Sequence, residues 1–274
     1  MLAALYLALA LQQTPPSAAA VEDLPPIVLA GQAEVVRRYP APEAGQGVAV
    51  TADALFAVNN ATLARYDKVT GEREAIWTGD RARFPHINSC AAIEGELVCG
   101  ASNFPGVPHW SAVEVFDATT LEHRRTISLG LGTGSLTWVD RKDGFWWAMF
   151  ANYSQRGGEP PRDHRHTTLV RFDDQWRRLE SWTLPASVLE RMAPTSSSGG
   201  GWGPDGRLYI TGHDRTELYV LTLPAGGAVL DHVATIGIAA EGQAIDWDES
   251  DPGMLYGISR RGREVIAMRV PMVL

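Results

Sequence analysis

Two histidines and one glutamate are the side chains in this sequence best suited to chemistry: His86, His213 and Glu241. A neutral imidazole exchanges protons near neutral pH and ligates zinc, copper or iron, and a carboxylate beside it can act as base. His86 sits in Pro85-His86-Ile87-Asn88, His213 in Gly212-His213-Asp214, and Glu241 in Glu241-Gly242-Gln243. The three are the catalytic candidates, and His86 with His213 is the candidate pair for a divalent metal. Gln46, Asn88, Asn103, Tyr153, Asp214, Gln243 and Arg260 are the candidates for holding a ligand. Each has a structural alternative: either histidine could tie two strands together, and Asp214 could cap its own turn. No GxSxG, HExxH, Walker or EF-hand pattern is present. Ser196-Ser197-Ser198-Gly199-Gly200-Gly201 runs into a strand, not a helix, so it is no phosphate cradle.

Residues so far apart in sequence need a scaffold that gathers them. Trp202-Gly203-Pro204-Asp205-Gly206-Arg207-Leu208-Tyr209-Ile210-Thr211 reads as strand, tight turn, strand, because Pro-Asp-Gly is turn chemistry and Leu-Tyr-Ile-Thr is β-rich and short. Five copies of a four-strand unit follow this pattern, over residues 46–80, 86–130, 134–185, 198–237 and 241–271. Tyr66-Asp67, Phe116-Asp117 and Phe172-Asp173 each close a third strand. Trp138, Trp202 and Trp247 are read as sharing one slot at the end of the first strand. The fold class expected is an all-β five-bladed β-propeller in a single domain, 27–274. The fifth copy lacks a fourth strand, and residues 33–39 resemble one. The expectation is that this N-terminal strand closes the ring in the last blade and leaves no long edge exposed.

Blade geometry then dictates a site. In an up-and-down blade the first strand starts and the second strand ends on the same face, and the first strand runs nearest the axis. His86, Asn88, Glu241, Gln243 and Gln46 belong to first-strand starts, and Asn103, Tyr153, His213, Asp214 and Arg260 to second-strand tips. The long insertions 103–110, 152–166 and 186–201 fall on that face as well, while turns such as Glu94-Gly95 on the other face are tight. Elaboration of one face is how scaffolds carry sites. The expected site is an axial pocket on that face.

Composition bounds the partners. Twenty-four basic against 32 acidic residues give a net charge of −8 with no basic block, which argues against nucleic acid and anionic membranes. A small molecule or a glycan is the expected partner, and a monomer the expected state. Residues 1–20 carry an apolar run too short to span a bilayer and then Ala18-Ala19-Ala20, a signal-peptide pattern that places the protein in the periplasm or outside the cell. No other segment is apolar enough to span. Cys90 and Cys99 lie directly opposite in a hairpin centred on Glu94-Gly95, within reach of a disulfide in an exported protein.

The repeats over 27–271 resemble five-bladed propellers and quinoprotein- and YVTN-type propeller repeats. At finer grain, His86-Ile87-Asn88, Ser102-Asn103-Phe104-Pro105, the segment 134–140 and Gly212-His213-Asp214-Arg215-Thr216-Glu217-Leu218-Tyr219 resemble an uncharacterised family of exported bacterial proteins. The resemblance implies the fold and brings no activity. Two functions stay open. One is a metal-assisted hydrolase, lyase or isomerase built on His86, His213 and Glu241. The other is a non-catalytic module for a glycan or protein, with Trp110, Phe104 and Tyr153 as stacking groups.

Overall fold

A computed structural model describes residues 29–273; the signal-peptide pattern at 1–20 lies outside the described residues. Five sheets, each built on antiparallel blade strands, surround one axis. The first blade is β3 (Gly47–Val50), β4 (Ala54–Asn59), β5 (Thr62–Asp67) and β6 (Arg73–Thr78), preceded in the chain by β1 (Gly31–Gln32) and β2 (Glu34–Pro40). The second is β7 (His86–Ile93), β8 (Glu96–Ser102), β9 (Trp110–Asp117) and β10 (His123–Leu131). The third is β11 (Ser135–Lys142), β12 (Phe145–Ala151), β13 (Thr168–Phe172) and β14 (Arg178–Thr183), followed by the helix α1 (Ala186–Met192). The fourth is β15 (Gly199–Trp202), β16 (Leu208–Thr211), β17 (Glu217–Thr222) and β18 (Asp231–Gly237); the last is β19 (Asp246–Trp247), β20 (Met254–Ser259) and β21 (Glu264–Arg269).

The fourth strand of the last blade is β2, antiparallel to β21 with Glu34 opposite Arg269 and Tyr39 opposite Val265. Just before it, β1 pairs in parallel with β18, so the N-terminal segment spans two blades and closes the ring. Tyr39 is its buried anchor, 6.3 Å from the ring of Tyr256. First strands meet around the axis in the order β3, β7, β11, β15, β19 and back to β3. Crowding there selects small residues: a Cβ on Gly199 would lie 2.3 Å from the backbone oxygen of Gln243, and one on Gly200 2.7 Å from the Trp138 ring. That close approach explains the glycine run.

Second strands are sandwiched and buried along their length, as in β4 and β20, whereas the outer strands β6 and β2 are mostly exposed. The aspartates that close the third strands share one job. Oδ1 of Asp117 accepts from the backbone N–H groups of Thr119 and Thr120, at 2.9 and 2.8 Å, and Asp173 does the same for Gln175 and Arg177.

The tryptophan slot differs from the sequence reading. Trp202 and Trp247 do end their inner strands, and each packs edge-on against an aromatic of the preceding blade, Trp147 at 4.8 Å and Tyr209 at 4.9 Å. Trp138 instead lies in mid-strand, fully buried between the third and fourth blades. An eight-residue inner strand shifts the apparent alignment that a four-residue strand would keep. Cys90 and Cys99 face each other across β7 and β8 and form a disulfide. Among the described residues no helix is long and apolar enough to cross a membrane.

Candidate functional site

The face that carries the long insertions opens into an axial cavity of about 470 Å³. Its walls come from chain ends that blade geometry forces together. Gln46 precedes β3, His86 and Asn88 begin β7, and Tyr153, His213 and Arg260 follow β12, β16 and β20. Those six of the sequence-derived candidates line the cavity.

The other four, Asn103, Asp214, Gln243 and Glu241, do not line it. Asn103 folds over its own loop, donating from Nδ2 to the Pro108 carbonyl at 3.0 Å and accepting from the Trp110 N–H at 2.9 Å. Glu241 caps the turn between the last two strands, accepting from Ser259 Oγ and the Arg261 N–H, both at 3.4 Å. Gln243 is buried at φ 80°, a left-handed conformation that costs a non-glycine residue about 1–3 kcal/mol. Its backbone ties neighbouring blades: its N–H donates to the Gly212 carbonyl and its own carbonyl accepts from Thr211 Oγ1 at 2.5 Å. Asp214 stands behind His213.

His86 and His213 are held in different ways. Nδ1 of His86 lies 2.6 Å from Oδ1 of Asn60, so this nitrogen carries the hydrogen and Nε2 is the acceptor. Burial, reinforced by the positive charges of Arg81 and Arg156, pushes the His86 imidazole down to about 4, and Asn88 offsets this in part. His86 is therefore neutral at physiological pH. Nδ1 of His213 donates to Asp214 Oδ1 at 2.6 Å, while its Nε2 faces Nη1 of Arg260 at 3.2 Å. Both nitrogens of His213 are engaged.

An aromatic wall completes the cavity. Phe104 stands between His86 and Tyr153, with ring centres 5.3 and 4.8 Å away. Burial pushes the Tyr153 phenol up to about 12, offset in part by a hydrogen bond with Ser135, so it stays protonated. Phe104, named from the sequence as a stacking group, is part of this wall, and sequence reasoning missed Arg81 and Arg156. The rule that long connections share one face located the loop of Arg156, residues 152–166. It says nothing of which side chain in a loop turns inward, and Arg81 lies in a connection too short to attract notice.

The expected metal pair meets a chemical obstacle. An imidazole ligates through a free nitrogen lone pair, and the Nε2 lone pair of His213 is taken by the guanidinium of Arg260. Among the described residues no group of three or more His, Cys, Asp or Glu side chains is arranged to hold a metal ion.

No family model matches the chain, and no curated protein matches it. Several solved structures are similar to it at a distance. Hydrazine synthase of Kuenenia stuttgartiensis aligns over 82% of this chain and 83% of its own, at 12% identity and a TM-score of 0.49. The PQQ-bound aldose sugar dehydrogenase of Streptomyces coelicolor aligns over 85% and 80%, at 14% identity and 0.48. A luciferin-regenerating enzyme aligns over 88% and 95%, at 10% identity and 0.48. Likeness this distant carries nothing about ligand or reaction.

Proposed function

We propose that the protein binds a small organic molecule in the axial cavity, and that binding is the core of its function. The observation that carries this reading is the cavity itself, with an apolar wall of Phe104 and Tyr153 and a few convergent polar groups from five blades. A neutral His86 offers one acceptor, which suits orientation of a ligand. Turnover is the second reading, favoured by an imidazole among the polar groups lining one cavity. It is the weaker one, because an imidazole held near 4 is a poor base at neutral pH. Metal-assisted chemistry on His86 and His213 has less support still, since Arg260 covers His213. A glycan is disfavoured as the occupant: Trp110, the broadest stacking group considered, begins β9 and does not line the cavity. The Cys90–Cys99 bridge supports an oxidising, extracytoplasmic compartment as the place of action.

A thermal-shift screen of small organic metabolites against wild type, His86→Ala and Tyr153→Ala tests the proposal. Compounds that raise the wild-type melting temperature should lose most of that effect in both variants. Hits that stabilise all three proteins equally would move the site elsewhere.

A further inference from the structure

We infer that the cavity takes an organic anion, its oxyacid group held by Arg81 and Arg156 and its aromatic body set against Phe104 and Tyr153. This rests on the reading of the cavity as a ligand site and adds the class of ligand. The cavity is lined by three arginines, Arg81, Arg156 and Arg260, and by no aspartate or glutamate. In a chain with 32 acidic against 24 basic residues, that local excess of positive charge runs against the global balance. Among the described residues neither Arg81 nor Arg156 has a carboxylate partner. Arg260 alone has one, Asp214 at 3.5 Å.

The other end of the axis has the opposite character. There Glu94, Asp140, Asp246 and Glu249 line an opening with only Arg141 and Lys142 as cations. The excess of basic side chains is therefore confined to the elaborated mouth, and an anion is steered there. Guanidinium groups match carboxylate and phosphate oxygens in pairs. The guanidinium of Arg156 lies 5.7 Å from the centre of the Phe104 ring, so one charge already sits beside the aromatic wall. A molecule with a charged end and an aromatic body meets both features at once. A neutral ligand would make no charge-assisted contact with these two guanidinium groups.

Carboxylates and phosphate esters share this chemistry, and calorimetry with three probes separates them: cinnamate, phenyl phosphate and the neutral cinnamamide. At least one anion should bind tenfold or more tightly than the amide, and about tenfold more weakly in Arg81→Gln and in Arg156→Gln. Its affinity should also fall as salt is raised from about 50 to about 500 mM. The tighter anion identifies the source. Both arginines are exposed, so these variants fold as wild type does, and coincident melting curves check it. Equal binding of amide and anions, or anion binding unchanged in both arginine variants, would overturn the inference. If the amide binds and Tyr153→Ala abolishes that binding, the cavity stands as a ligand site and only its charge preference falls. If no probe binds at millimolar concentration, the aromatic-anion assignment falls, and the metabolite screen judges the cavity separately.

Discussion

Nη1 of Arg260 lies 3.2 Å from Nε2 of His213, and because a guanidinium only donates, that nitrogen must be the acceptor. Asp214 takes the hydrogen on Nδ1 at 2.6 Å, so His213 is fixed in one tautomer between an acid and a base. The histidine is thereby a positioned part of the cavity wall, with no lone pair to spare.

This predicts how the protein responds to metal. Added Zn²⁺ should shift the melting temperature of wild type no more than that of His213→Ala. A stabilisation specific to wild type would show that Arg260 yields to a metal and would restore the paired-histidine site.

Stability should depend on pH through two groups that act in opposite directions. His86 is pushed from 6.5 down to about 4 by burial, so its contribution is present above its ordinary value and lost as pH falls towards 4. Asp140 is pushed from 3.8 up to about 6, also by burial, so its contribution is present at low pH and lost as pH rises through 6. Asp246, beside it on the axis, moves in the same direction as Asp140. Each of the first two shifts corresponds to at most about 3 kcal/mol. Chemical denaturation from pH 4 to 7 should show His86→Gln removing the rise with pH and Asp140→Asn removing the fall. Unchanged slopes in both variants would mean that neither group is desolvated as its surroundings indicate.

The bridge between Cys90 and Cys99 closes a short loop inside one hairpin, and both residues are buried. Replacing both with alanine should cost about 2–3 kcal/mol in denaturant melts. Reduction of wild type should cost a similar amount. A variant as stable as oxidised wild type would show that the hairpin gains nothing from the link.

Deleting residues 30–40 should abolish cooperative unfolding. That segment supplies the outer strand of the last blade and the parallel pairing to β18, and its loss exposes two strand edges. A cooperative melt at the wild-type temperature would rule out closure by this segment.

Much of the scaffold was legible because blade repeats write themselves in turns and short apolar strands. Asp117 and Asp173 are visible in sequence as turn residues and perform that role in the structure. The strand at 33–39 was legible as the missing fourth strand of an incomplete copy, and β2 lies there. For the site, strand starts and tips could be assigned to one face, which brought Gln46, His86, Asn88, Tyr153, His213 and Arg260 together. Direction within that face was not legible. Gln243 turns away through a left-handed backbone, Glu241 through a local turn, and Asn103 through bonds to its own loop. Such choices depend on neighbours that no local pattern encodes.

The central claim, that the axial cavity is where this protein meets its ligand, is tested most directly by a crystal structure with the tightest-binding compound from the metabolite screen. The account predicts ligand density against Phe104 and Tyr153, within hydrogen-bond distance of His86 or Asn88. Density at the opposite end of the axis, beside Trp202 and Trp247, or on the outer strands with the cavity empty, would contradict it.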